Sequence, residues 1–280
     1  MEDYLSSIVK KLAVPGMRNA SGDFWNETMS LIEFFLNELS VEPKIHEWKD
    51  ENGRKFRNYI VSFKGKIEKK IIIGAHYDTF ESTPGADDNA SAVAVSLGLI
   101  KELVSGSYNG HYTVEFVFYA CEEPPFYGTS GMGSYKDAEL QDKNGVELMI
   151  CLEMVGYYRE ARHSQDYPYP FLKYFYGDRG NFLIGVGNLL SFRVGRKLMK
   201  RLKQKRPGFY KSLLLPFNFS GMDWSDHRSY WAKDIPAIML TDTAMFRNPN
   251  YHKETDVPET LDFEKMAYIV KDLRYFLDKF

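Results

Sequence analysis

Cysteine is scarce: Cys121 and Cys151 are the only two in 280 residues, and no C-x-x-C pair exists. That argues against a metal-thiolate or dithiol redox centre. Both thiols sit inside apolar runs, so buried thiols are expected, and a disulfide between them requires neighbouring strands. Long hydrophobic runs are also missing. No stretch approaches the roughly eighteen apolar residues of a membrane span. The opening residues contain Glu2 and Asp3 and no long apolar core, unlike a signal peptide. A soluble, cytoplasmic protein is the corresponding expectation. Charge of one sign is lacking too, with a formal net charge of −2. Nucleic-acid binding therefore lacks its basic face. The nearest approach is 193–206, where cations alternate with Val194, Leu198, Met199 and Leu202 at helical spacing, as on a solvated helix face. No G-x-S-x-G elbow surrounds Ser130 or Ser134, which disfavours a serine hydrolase.

What remains is a chain that is 44% hydrophobic, enough for one substantial core and a single domain over 1–280. Residues 24–39 repeat apolar positions at three and four, predicting a helix with Ser21 and Asp23 as candidate caps. Asp50 to Gly53 separates 44–49 from 56–63, and its Asn-Gly step predicts a hairpin. The run Ile71 to Ala75 reads as a strand buried on both faces and stops at His76. A small-residue helix over 90–104 follows, then a strand over 113–120 and a short helix over 131–140. Next come a strand over 147–152, a strand over 182–187, a helix over 190–204, strands over 212–217 and 236–240, and a helix over 262–278. That alternation predicts a mostly parallel sheet covered on both faces. The Tyr- and Pro-rich segment 158–180 is long for a connection, and is either a functional loop over a site or merely mobile.

Five segments place acids or imidazoles near strand ends: His76-Tyr77-Asp78, Gly85 to Asn89, Glu122-Glu123, Glu153 and Tyr251-His252. In open α/β sheets ligands bind beyond the carboxyl ends of strands. Imidazole nitrogen and carboxylate oxygen suit zinc and related cations. Each piece alone is weak, since a His-x-Asp or a Glu-Glu is usually a surface pair. The joint pattern points to a site for two divalent metals.

These motifs, in this order from His76 to Leu261, resemble the co-catalytic zinc aminopeptidase family, which includes glutamate carboxypeptidases and related exopeptidases. Tyr176 to Phe182 and Asp242 to Pro249 are similar to its predicted-peptidase branch. The resemblance implies a three-layer α/β/α sandwich of the phosphorylase/hydrolase type with a mixed, mostly parallel central sheet. It implies two zinc ions per chain, with His76 and Glu153 on one, Glu123 and His252 on the other, and Asp88 bridging. The bridging aspartate precedes a cis peptide in the family, so the Asp88–Asn89 bond is expected to be cis. Asp78 would fix the His76 tautomer, and Glu122 would be the general base. Glu153 stands where better-known members place an aspartate, which bears on zinc spacing and on how a substrate amine is held. Three ligand carboxylates would offset most of the charge of two zinc ions, as a partly buried pocket requires.

The implied reaction is metal-assisted hydrolysis of a peptide bond in a peptide or aminoacyl substrate. Glu122 would move the proton, and Tyr251 would either hydrogen-bond the developing oxyanion or simply pack. Asp226 and His227 resemble a family loop that borders the site. His46, His111 and His163 have no acidic neighbourhood in the sequence. Two other readings share this fold: a single-zinc glutaminyl-cyclase-like acyltransferase, and a non-enzymatic binding module that has lost its ligands. Here every ligand position is kept. Side-chain preference would be set by loops such as 124–135, 158–180 and 243–250, and nothing in the sequence fixes the oligomeric state.

Overall fold

The computed structural model describes residues 1–215 and 221–280. The chain opens with α1 (Glu2–Leu12) and α2 (Trp25–Glu38), then β1 (Lys44–Lys49), β2 (Lys55–Phe63) and β3 (Ile67–His76). Next come α3 (Ala92–Gly106), β4 (Tyr112–Tyr119), α4 (Gly133–Leu140), β5 (Val146–Glu153), the one-turn α5 (Lys173–Tyr176) and β6 (Leu183–Gly187). It closes with α6 (Phe192–Lys205), β7 (Tyr210–Leu214), α7 (His227–Trp231), β8 (Ala237–Thr241) and α8 (Phe263–Lys279). The eight strands form one sheet in the order β1-β2-β4-β3-β5-β8-β6-β7.

The four middle strands, β4, β3, β5 and β8, run parallel to one another. Antiparallel β2 and β6 flank them, making the sheet mixed as expected. Parallel strands need both faces covered. The larger apolar cluster draws on Leu5, Leu36, Leu99, Leu198 and Leu273, one from each of α1, α2, α3, α6 and α8. The other draws on Ala138 of α4, Tyr230 of α7 and the partly buried Tyr167 and Tyr176. Close approach on the first face uses the small residues of α3. A Cβ at Gly98 would stand 3.1 Å from Leu5 of α1 and 3.2 Å from Val270 of α8.

Most expected elements lie where the pattern placed them. The hairpin forms with Lys49 opposite Lys55, and the Asp50 carboxylate accepts from the Asn52 and Arg54 amides. Three elements differ from expectation. α1 is not among the elements expected from the sequence, although its buried stripe of Leu5, Ile8, Val9 and Leu12 repeats at the same three-and-four spacing that marked α2. α2 begins without a side-chain cap, so neither Ser21 nor Asp23 serves as one; its start is set by burial of Trp25, which donates to Lys55 O at 3.0 Å. β7 starts two residues earlier than expected; positions 216 and 217 of the expected strand lie outside the described residues. Cys121 and Cys151 are both free and buried.

Candidate metal centre

The parallel block delivers the site. His76 ends β3 opposite Tyr119, the last residue of β4, so Glu122 and Glu123 emerge just beyond it. Glu153 ends β5 opposite Thr241 of β8. The chain after β8 returns to the same end with Tyr251 and His252. Asp88 lies between β3 and α3, and its bond to Asn89 is cis. Gly85 (φ 61°) starts that turn, where a Cβ would stand 2.3 Å from Asp88 O.

Two triads result, His76/Asp88/Glu153 and Asp88/Glu123/His252, with the ligand atoms of each within 4.8 Å of one another. His76 Nε2 is 3.4 Å from Asp88 and 3.3 Å from Glu153. His252 Nε2 is 3.2 Å from Asp88 and 3.4 Å from Glu123. Yet His76 Nε2 and Glu123 Oε1 are buried with no hydrogen-bond partner among the described residues. Atoms this close that do not bond to each other converge on common points between them. Nitrogen and oxygen donors of this kind fit zinc.

The electrostatics carry the same mark. Burial alone would lower His76, but Glu153, Asp78 and Asp88 raise it well above its ordinary value. His252 is raised to about 10 by Asp88 and Glu123 against the same burial effect. Burial and then Asp88 lift Glu123 to about 7. Asp88 is pushed up by burial, but His252 and His76 outweigh that and hold it below the carboxylate range. A cluster that draws protons onto both imidazoles is one that favours bound positive charge.

Asp78 does more than contact His76 Nδ1 at 3.5 Å. Its two oxygens accept the Glu122 and Glu123 amides at 3.0 and 2.9 Å, so it ties the β3 end to the β4 end. Glu122 belongs to neither triad; burial first, then Glu123, Glu153 and Asp226, push its carboxyl well above the ordinary range. Glu153 Oε2 accepts from Ser225 Oγ at 2.6 Å. Tyr251 stacks on one face of the His252 ring (3.8 Å) and Phe80 on the other (4.1 Å), so it does pack, while also lining a cavity beside the site.

Arg18 and Asp256, which the sequence gave no reason to single out, hold this arrangement, as does the side chain of Asn89. Arg18 is fully buried and donates to Leu12 O and Tyr77 O (both 3.1 Å), Pro84 O (3.0 Å) and Gly85 O. One guanidinium thus pins the loop between His76 and Asp88 at both ends. Asp256 accepts the Asp87 and Asp88 amides, the latter at 3.1 Å, linking the His252 loop to Asp88. Asn89 donates to Leu152 O and accepts from Met154 N, bracketing Glu153.

Asp226 and His227 enter neither triad. Asp226 is fully buried, has no hydrogen bond to either oxygen among the described residues, and is raised to about 7 by burial. His227 Nε2 donates to Met222 O at 2.6 Å, and its ring meets Trp231 edge-on. Burial lowers its pKa to about 4. The unfolded imidazole takes up a proton through pH 6.5 while the native one stays neutral, so stability falls as pH drops from 6.5 towards 4. In urea unfolding, the advantage of the metal-free wild type over His227→Gln is expected to shrink by about 2 kcal/mol between pH 7 and pH 5. An advantage that is constant or grows on acidification would contradict this. Of the remaining histidines, His163 does find an acid, Asp178, at 3.3 Å, although it is mostly exposed.

The adjoining cavity holds about 350 Å³. Segment 158–180 supplies one wall through Gln165 to Leu172, so it is a loop over the site. Ile184, Val186, Met239 and Trp224 supply others, and residues 243–246 a rim. Residues 124–135, also expected to line it, do not.

Comparison with known proteins gives the same family as the motifs. The model of peptidase family M28 matches residues 58–277. The Escherichia coli K12 protein YfbL, itself uncharacterised, is 41% identical over 78% of this chain and 69% of its own length. A probable leucine aminopeptidase of Trichophyton verrucosum is 26% identical over 78% of this chain and 55% of its own length. The chain thus spans about half the length of the fungal aminopeptidases it matches. Among solved structures, the Legionella pneumophila LapA aminopeptidase superposes with TM-score 0.74 at 20% identity, covering 99% of this chain and 71% of that one. A Bacteroides thetaiotaomicron glutaminyl cyclase does so with TM-score 0.72 at 17% identity, covering 100% and 98%. At these identities both likenesses establish the fold.

Proposed function

The chain belongs to peptidase family M28, and from that premise we propose that it is a dinuclear zinc exopeptidase acting on amino termini. The observation that carries this reading is the pair of complete triads sharing Asp88. His76 and Glu153 would hold one ion, Glu123 and His252 the other, and Asp88 both. Zinc there would polarise a peptide carbonyl and acidify a water to near neutrality. The remaining tasks fall to side chains. Glu122, anchored through its amide to Asp78, accepts a proton and passes it to the leaving amine. Tyr251, at the cavity wall, offers its phenol to the carbonyl oxygen as charge develops there.

The choice of chain end rests on the cavity. Its lining includes Glu153 and Asp166 and, among the described residues, no Lys, Arg or His. A terminal carboxylate would meet no counter-charge, whereas a terminal ammonium would meet acids. The apolar walls suit a hydrophobic first side chain. Zinc-loaded protein is expected to hydrolyse leucine p-nitroanilide and to lose at least roughly a hundredfold in kcat/KM when that amine is acetylated. Preferential cleavage of the blocked compound, or of carboxy-terminal residues, would overturn the aminopeptidase assignment. Cyclisation of amino-terminal glutamine without hydrolysis would instead favour the glutaminyl-cyclase-like chemistry.

A further inference from the structure

Helix α6 carries seven Lys and Arg side chains and no Asp or Glu. None of the seven forms an ion pair among the described residues; Arg206, just past the helix, is the one neutralised, by Asp272 at 3.0 Å. Leu198, Met199 and Leu202 turn inward, leaving Arg193, Arg196, Lys197 and Lys200 exposed on the outer face. A shallow cavity of about 400 Å³ opens there, lined by Lys197, Lys200, Arg201, Gln204 and Phe280. At the head of the helix two leucines face solvent, Leu189 at 64% exposure and Leu190 at 42%. A purely solvated face accounts for the cations but not for these leucines.

We propose that the outer face of α6, led by Leu189 and Leu190, docks the protein onto an anionic phospholipid surface. Fourteen helical residues extend about 21 Å, long enough to meet several headgroups at once. The cationic cavity seats a phosphate, and the leucines that precede the helix enter the acyl boundary, so that electrostatic attraction to anionic headgroups and apolar burial act together. A second copy of this chain does not suit the face, because a two-fold contact through α6 would oppose its own cations. The placement is also compatible with access to the metal centre. α6 packs on the sheet face of the larger apolar cluster, whereas the cavity beside the metal centre uses Ile184, Val186 and Met239 of the other. β6 runs antiparallel to β8, with Gly187 opposite Ile238 and Ile184 opposite Thr241, so Leu189 and Leu190 emerge at the sheet end away from Glu153.

Co-sedimentation with vesicles tests this on the full chain. Wild-type protein is expected to pellet with phosphatidylcholine vesicles containing phosphatidylglycerol, not with pure phosphatidylcholine, and to be released by salt. Each basic side chain at such a surface contributes roughly fivefold, so reversing Lys197, Lys200 and Arg201 to Glu should weaken binding at least about a hundredfold. Leu189→Ser with Leu190→Ser should cost about tenfold, with the circular dichroism spectrum unchanged. Should the triple variant misfold, the salt release and the leucine pair decide alone. Absence of pelleting, equal binding to neutral vesicles, or no effect of the leucine pair would each overturn the proposal. So would retention of a duplex oligonucleotide as tight as that of vesicles, which would mark a general polyanion face.

Discussion

Glu122→Gln is expected to lower kcat on leucine p-nitroanilide by roughly 10²–10⁴-fold while both zinc ions stay bound. The size follows from the role. An amide has nearly the shape of the carboxyl but accepts no proton, so the variant removes proton transfer and little else. Metal retention follows from the geometry, because Glu122 is in neither triad and its fixed contact with Asp78 runs through its backbone amide. KM should change little, since the cavity beside the site is lined by other residues. The assay pairs kcat with zinc content after dialysis. A variant with unchanged kcat would remove Glu122 as the base. One that lost zinc would make it a ligand, and the triads would have to be redrawn.

Three of the five segments read from the sequence share one property. His76, Glu122-Glu123 and Glu153 each follow an apolar or β-branched run of the kind that forms a buried strand, whereas Asp88 and His252 directly follow none. Once β3, β4 and β5 are parallel neighbours, residues just past their ends must meet. Nothing comparable marks Arg18 or Asp256. Arg18 acts on Gly85, 67 positions away, and Asp256 on Asp87, 169 positions away. Such partners are chosen by the assembled fold, because a buried polar group must find an acceptor or donor wherever one is left over. Local pattern carries no trace of that choice. Asp78 falls between the two cases: its nearness to His76 follows from a spacing of two, but its grip on both glutamate amides required the β3–β4 register. The outer face of α6 shows the reverse limit. Its cations were plain in the sequence, whereas the exposure of Leu189 and Leu190 was not.

Asp88→Asn should remove more metal than the loss of any other single ligand, and stoichiometry is where the shared geometry can be tested. His76 and Glu153 serve one triad and Glu123 and His252 the other, but Asp88 serves both. His252→Ala is therefore expected to keep one tightly held zinc, and His76→Ala the other. Asp88→Asn should weaken both by more than the 10–100-fold typical of losing an outer partner of a ligand. Thermal stability gives an independent reading, because an ion that binds only the native state stabilises it in proportion to the logarithm of its concentration over Kd. Zinc should raise the Tm of the wild type most, that of each histidine variant less, and that of Asp88→Asn least. The metal-free proteins supply the control. In them Asp88 is held below the carboxylate range chiefly by His252 and His76 against the cost of burial. A depressed carboxyl stabilises the native state above its unfolded pKa and loses that stability as pH falls, so the wild type should lose its margin over Asp88→Asn on acidification. An Asp88→Asn protein that keeps two zinc ions through chelation would show that the sites do not share this carboxylate, and the dinuclear reading would fall with it.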